Sequence, residues 1–150
     1  MTEILFYHLE RDPLEQVLPK LLERTLDRGW KAVVQAGSRE RLDALDAHLW
    51  TYADDSFLPH ASDGEGDLGE EVIVLTTGSG NPNGAEVRFL VDGAPLPDEA
   101  GAYQRLVLMF DGGDDEAVGA ARESWRTLRT SGHELTYWQQ SESGRWEKKG

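Results

Sequence analysis

Six short apolar runs punctuate the chain, separated by stretches where apolar residues recur every three or four positions. The first run, Ile4-Leu5-Phe6-Tyr7-His8-Leu9, is apolar on both faces and reads as a buried strand. Asp12-Pro13 follows in the order of a helix cap and a first-turn proline. Leu14, Val17, Leu18, Leu21, Leu22 and Leu26 then keep helical spacing up to Arg28, and Gly29 ends the helix. Pro19 lies inside this pattern and predicts a kink or a later start. Ala32-Val33-Val34-Gln35-Ala36 is a second strand. Gly37-Ser38 opens a second helix with Ser38 as its cap, although Arg41 stands where a capping box has Glu or Gln. Leu42, Leu45 and Leu49 line its apolar face, and Trp50 extends that face at its end.

Residues 51–70 carry Asp54, Asp55, Pro59, Asp63, Gly64, Gly66 and Gly69 and read as irregular. Val72–Leu75, Val87–Val91 and Leu106–Phe110 are three further strands, and residues 76–84 form a loop rich in Gly, Asn and Thr. Gly112-Gly113-Asp114 leads into a third helix from Asp115 to Ser131, closed by Gly132. Leu135–Trp138 is the last strand, and the tail beyond it, with Trp146 and two lysines, reads as loose. Strands alternate with helices, and several strands are continuously apolar. That pattern predicts an α/β fold with a mostly parallel sheet flanked by helices on both faces. The chain has 150 residues, which fits one domain over 1–150, and no repeat or linker divides it.

Charge changes the picture more than composition does. The net charge is −13, with 28 acidic residues against 15 Lys and Arg. Nucleic-acid binders neutralise phosphates with Lys and Arg, so this surface predicts at most indirect contact with DNA. A basic patch can still act locally, since fields are screened beyond about 8 Å at physiological salt. No run of eighteen apolar residues suggests a membrane span. The N-terminal apolar run lacks a basic flank and reads as a strand rather than a signal peptide, which predicts a cytoplasmic protein. There is no cysteine, which excludes disulfides and thiolate metal sites.

Candidate chemistry is thin. Gly64-Glu65-Gly66-Asp67-Leu68-Gly69 spells G-x-G-x-x-G, but a dinucleotide site needs that motif after a strand and at a helix start. Here it precedes a strand and carries Glu65 and Asp67, which would repel phosphate. No Walker lysine motif or nucleophile elbow occurs. His8, His48, His60 and His133 show no zinc spacing. Asp114, Asp115 and Glu116 suit a helix N-terminus. No catalytic, cofactor or metal-binding residues are therefore assigned.

Two segments suggest partner surfaces instead. In residues 49–60, Trp50, Tyr52 and Phe57 stand at or just past a helix end, followed by Leu58-Pro59-His60. Exposed aromatics of this kind anchor interfaces, although the same residues equally suit the end of an apolar face and a plug in the core. On the third helix, Arg122, Arg126 and Arg129 form one stripe, with Trp125 beside it. That set suits a ligand carrying a carboxylate and an aromatic ring. It also suits an amphipathic helix whose Ala117, Ala121, Trp125 and Leu128 face the core while its arginines pair with acids in solvent. A second basic stripe, Lys20, Arg24 and Arg28, reads as a solvated face.

The chain resembles the chi subunit of bacterial DNA polymerase III holoenzyme. The resemblance rests on Arg41-Leu42-Asp43 through Leu49-Trp50, then Ser56-Phe57-Leu58-Pro59-His60 and Gly64-Glu65-Gly66. Ala121-Arg122-Glu123-Ser124-Trp125-Arg126 seconds it, with Phe6-Tyr7 and Trp30-Lys31 as weaker matches. It implies a three-layer, Rossmann-like fold without nucleotide chemistry, and an adaptor in DNA replication and repair with no activity of its own. The family binds the acidic, Pro-Phe-ended C-terminal tail of single-stranded DNA-binding protein and tethers it to the clamp loader. Matched to that motif, Arg122, Trp125 and Arg126, with Arg129 on the same stripe, form the tail site. Trp50, Phe57, Pro59 and His60 match the surface for the psi subunit, which also serves a helicase. Two positions depart from the family. Trp125 stands where other chi sequences have tyrosine, and Asp111-Gly112-Gly113 lacks the apolar residue expected beside the tail pocket. Two other readings stay open: a nucleotide-dependent enzyme resting on Gly64–Gly69, and a domain for some other acidic peptide.

Overall fold

The computed structural model describes residues 2–51, 59–62, 68–97 and 100–149. In chain order the elements are β1 (Glu3–Leu9), α1 (Leu14–Asp27), β2 (Ala32–Ala36), α2 (Arg39–Thr51), β3 (Ala61–Ser62), β4 (Ile73–Thr76) and β5 (Val87–Val91). A short 3-10 turn at Ala100–Ala102 leads to β6 (Arg105–Asp111), α3 (Asp115–Arg129), β7 (Glu134–Gln140) and β8 (Trp146–Lys148). The strands form one eight-stranded sheet in the order β3-β4-β2-β5-β6-β1-β7-β8. Every neighbouring pair is parallel except β7 and β8, which are antiparallel.

The two-residue period of a strand sorts the core into two layers. Leu5, Val34, Leu75, Phe89 and Val107 point to one face, where Leu18 and Leu22 of α1 and Leu42, Leu45 and Leu49 of α2 cover them. Ile4, Phe6, Leu90, Leu106 and Leu108 point to the other, beneath Ala121 and Leu128 of α3. Helix α3 reaches only part of that second face. Over β2 and β4, Val33 and Val74 pack instead with Leu68, Ala85 and Tyr103. Arg88 anchors this region from inside, and it is 0% exposed. Its guanidinium donates to Gln35 Oε1, to the carbonyls of Gly78 and Gly80 and to the Tyr103 hydroxyl, at 2.6 to 3.2 Å. Its N–H groups are thereby satisfied, as a buried guanidinium requires.

Local details revise several expectations. Pro13 holds the N-cap position of α1 without a side-chain bond, and Asp12 is not the cap. The Asp12 carboxylate instead accepts from Gln140 Nε2 at 3.0 Å. Gln140 Oε1 gathers the backbone N–H groups of Glu10, Arg11 and Asp12, so the β1–α1 turn is tied to the end of β7. Pro19 is buried inside α1, which starts at Leu14, before the proline. Ser38 does act as a cap for α2, its Oγ accepting from the Arg41 N–H at 3.3 Å. The tail is not loose through Trp146–Lys148. These residues form β8 on the free edge of β7, and the Trp146 ring meets Tyr7 edge-on at 5.1 Å. Strand β3 was missed because two residues carry no legible period.

Candidate protein-interaction surfaces

Helix α3 begins where Asp114 accepts hydrogen bonds from the N–H groups of Glu116 and Ala117. This cap, with Asp115 and Glu116 in the first turn, satisfies orphan donors and favours the helix dipole. Ala121 and Leu128 are buried, so the opposite stripe is turned outward. Arg122, Arg126 and Arg129 are all exposed along it, and Trp125 is half-buried beside them. Arg126 pairs with Glu123. The side chains of Arg122 and Arg129 make no hydrogen bond or ion pair among the described residues.

The half-buried ring of Trp125 belongs to an aromatic cluster that sequence spacing did not reveal. It meets Phe6 edge-on at 5.3 Å and Tyr137 at 5.8 Å. Tyr137 stacks on Phe6 and contacts Phe110 at 6.0 Å. Its hydroxyl lies 2.7 Å from His8 Nδ1. Burial pushes the Tyr137 hydroxyl above its ordinary pKa, the Arg122 charge pulls it back, and Glu10 pushes it up. Tyr137 and Arg122 thus share one patch, with the aromatic rings beside the guanidinium. Parallel pairing explains the assembly: Phe6 lies opposite Tyr137, and His8 opposite Phe110, across the β1 register.

The departure at Asp111–Gly113 has a steric cause. A Cβ on Gly112 would stand 2.3 Å from His8 Cδ2 and Nε2 and 2.8 Å from the Leu9 carbonyl oxygen. No side chain fits there while His8 keeps its place. The Phe110 ring lies 5.1 Å from the His8 ring.

The second surface lies at the far end of α2. Trp50 is 48% exposed, an unusual state for a large apolar side chain. Pro59, further along the chain, is also exposed. His60 is not a surface residue, since its side chain is fully buried. Its ring lies 4.2 Å from that of Trp50, and its Nε2 lies 3.1 Å from Asp46 Oδ1 and 3.2 Å from the Asp46 carbonyl oxygen. His60 is thus enclosed between Asp46 and the Trp50 ring. Phe57 falls outside the described residues, as do Gly64–Asp67 of the glycine motif. Gly69, which ends that motif, precedes β4, not a helix.

The crevice at the carboxyl ends of the strands, where open α/β sheets bind their ligands, has a volume of about 880 Å³. Its wall contributes seven carboxylates, among them Glu10, Asp12, Asp111 and Glu116, and two guanidiniums, Arg11 and Arg41. A phosphate entering there would meet strong repulsion. Among the described residues, no three His, Asp or Glu side chains are grouped to hold a metal ion. No described helix is long and apolar enough to cross a membrane.

The architecture is that of a three-layer α/β protein with a mostly parallel sheet, whose exposed arginine–aromatic face lies on a helix and not in the crevice. Residues 1–136 match the sequence profile of the family described as DNA polymerase III chi subunit, HolC, and the chain belongs to that family. It is also similar to a probable DNA polymerase III subunit chi of Rickettsia prowazekii (strain Madrid E). The two are 25% identical over 117 residues, which cover 74% of this chain and 71% of the relative.

Proposed function

We propose that this chain is a non-catalytic adaptor of DNA polymerase III. In this reading it binds the acidic, Pro-Phe-ended tail of single-stranded DNA-binding protein and links it to the clamp loader. The observation that carries the reading is the outer stripe of α3. Two guanidiniums, Arg122 and Arg129, stand without a described partner in a protein of net charge −13, on the helix whose Trp125 ring packs against Tyr137. Arginine grips carboxylates through forked hydrogen bonds, and aromatic walls accept a phenylalanine ring. Arg122 is assigned to the tail's terminal carboxylate or an acidic residue, Trp125 to the phenylalanine pocket, and Arg126 and Arg129 to the acidic residues upstream. Trp50, with Pro59 and Phe57, is assigned to a second partner, the psi subunit or a helicase, and His60 to holding Trp50 in place. Contact with DNA is indirect, through its coat protein, and the site of action is the cytoplasm.

Calorimetric titration with a synthetic acidic peptide ending in Asp-Ile-Pro-Phe, beside the same peptide lacking its Phe, tests the first surface. Micromolar-range binding that vanishes with the Phe supports the adaptor. Equal binding of both peptides makes the stripe a general acidic-peptide site, and no binding of either overturns the tail reading.

A further inference from the structure

A cavity of about 370 Å³ lies on the α1 face of the sheet, opposite the α3 surface. Its wall includes Tyr7, Arg24, Arg28 and Arg105, with Asp27 as its single carboxylate. Arg24 and Arg28 come from the last turn and C-cap of α1, where cations suit the negative end of the helix dipole. The dipole does not account for Arg105, which enters the same cavity from the start of β6. Three guanidiniums thus converge from two elements in a protein with nearly twice as many acids as bases.

Arg105 is ion-paired with Glu3, whereas the Arg24 and Arg28 side chains keep free donors among the described residues. The guanidinium carbons of Arg28 and Arg105 sit 5.3 Å and 5.5 Å from the Trp30 ring centroid, within cation–π range. Arg105 Nε donates to Glu3 Oε1 at 2.6 Å, and its terminal nitrogens have no described acceptor. Among the described residues, the side chains of Arg24 and Arg28 make no hydrogen bond or ion pair, and the Tyr7 hydroxyl makes no hydrogen bond. Burial raises the pKa of that hydroxyl, the charges of Arg105 and Arg24 lower it, and the Glu3 carboxylate raises it, so it lies in the field of all three.

We propose that this cavity is an anion site that takes a phosphate group, held by Arg24, Arg28, Arg105 and the Tyr7 hydroxyl. Guanidinium forks match phosphate oxygens, and a tyrosine hydroxyl adds a neutral donor. The volume falls near the lower end of small-ligand pockets, about 300 to 1,000 Å³, and fits one terminal or free phosphate-bearing group rather than the track of a polymer. The carboxylate-lined crevice at the strand ends repels such a ligand, so the two openings are electrically opposite. The stripe read from sequence as a solvated face gains this role only because β6 brings Arg105 to it.

The test is titration of the full chain, at constant ionic strength, with inorganic pyrophosphate, with acetate, and with a short oligothymidylate with and without a 5′-phosphate. Binding is read by amide chemical shifts at Tyr7 and Arg105 and at the Trp30 indole. The site predicts saturable pyrophosphate binding that is about tenfold weaker or more in Arg24→Gln/Arg28→Gln, since two charge-assisted contacts are lost. Tyr7→Phe weakens it less, the charge-retaining Arg24→Lys/Arg28→Lys keeps part of it, and Arg122→Ala leaves it unchanged. Binding of the 5′-phosphorylated oligonucleotide alone among the strands identifies a nucleic-acid end as the source. Pyrophosphate binding without either strand identifies a small free phosphate compound. Absence of saturable binding, equal binding of acetate, or unchanged affinity in Arg24→Gln/Arg28→Gln overturns the site, as does loss of binding in Arg122→Ala.

Discussion

At the scale of single residues, the decisive groups are few and each answers to a local cause. The Arg122 side chain has no partner among the described residues, so Arg122→Ala is expected to weaken tail-peptide binding by about 2 kcal/mol, the usual loss at an interface arginine hot spot. Calorimetry reads it directly, and a loss below about 0.5 kcal/mol removes Arg122 from the site. Gly112 answers to steric exclusion. A methyl group there collides with the His8 ring and the Leu9 backbone. Gly112→Ala is therefore expected to cost about 1 to 3 kcal/mol of stability in urea unfolding, the range for overpacking. It should weaken tail binding as well, because displaced His8 releases the Tyr137 hydroxyl. An unchanged unfolding midpoint would show that the ring moves aside freely. Arg88 is the residue that sequence reading passed over, because a strand position in an apolar run gives no sign that its side chain will be enclosed by two loop carbonyls, a glutamine and a tyrosine.

At the scale of elements, α3 and β8 show how much the ends matter. The Asp114 cap was readable from its place before an amphipathic run, and Asp114→Ala is expected to lower stability by about 1 kcal/mol. Strand β8 was not readable. Trp146–Lys148 is too short and too charged to signal a strand, and it forms only because the edge of β7 offers unpaired backbone groups. Deleting residues 145–150 is expected to expose that edge and uncover Tyr7, with a lower melting temperature and a tendency to self-associate in sedimentation. An unchanged melting temperature would mean that β8 adds nothing to the sheet. The Asp12–Pro13 signal misled for a related reason: the carboxylate was engaged by Gln140, a residue brought near only by the pairing of β1 with β7.

At the scale of the whole molecule, the two interaction surfaces sit on different helices, α2 and α3, in separate layers. Trp50→Ala and Phe57→Ala are therefore expected to leave tail-peptide affinity intact, while abolishing capture of a psi or helicase partner. Equal loss of tail binding in Arg122→Ala and Phe57→Ala sinks the two-surface arrangement. Alkaline stability is also a property of the whole. Tyr7 and Tyr137 both have pKa values raised above the ordinary 10.0, so the folded state favours their neutral forms. Their contribution is fully present below the unfolded value and is lost as pH rises through the folded values. Melting temperature is expected to fall as pH rises above about 10, the ordinary tyrosine value, with a smaller fall in Tyr7→Phe/Tyr137→Phe.

By itself the sequence determined the alternation of strands and helices, the mostly parallel sheet, and the arginine stripe on the third helix. These follow from periodicity and charge, which act over a few neighbouring residues. The tertiary structure alone decided what stands next to what. It set Tyr137 and Phe6 against Trp125, buried His60 beside Trp50, and brought Arg105 to the cavity lined by Arg24 and Arg28. Those contacts span distant parts of the chain and depend on strand order and register, which no local pattern encodes.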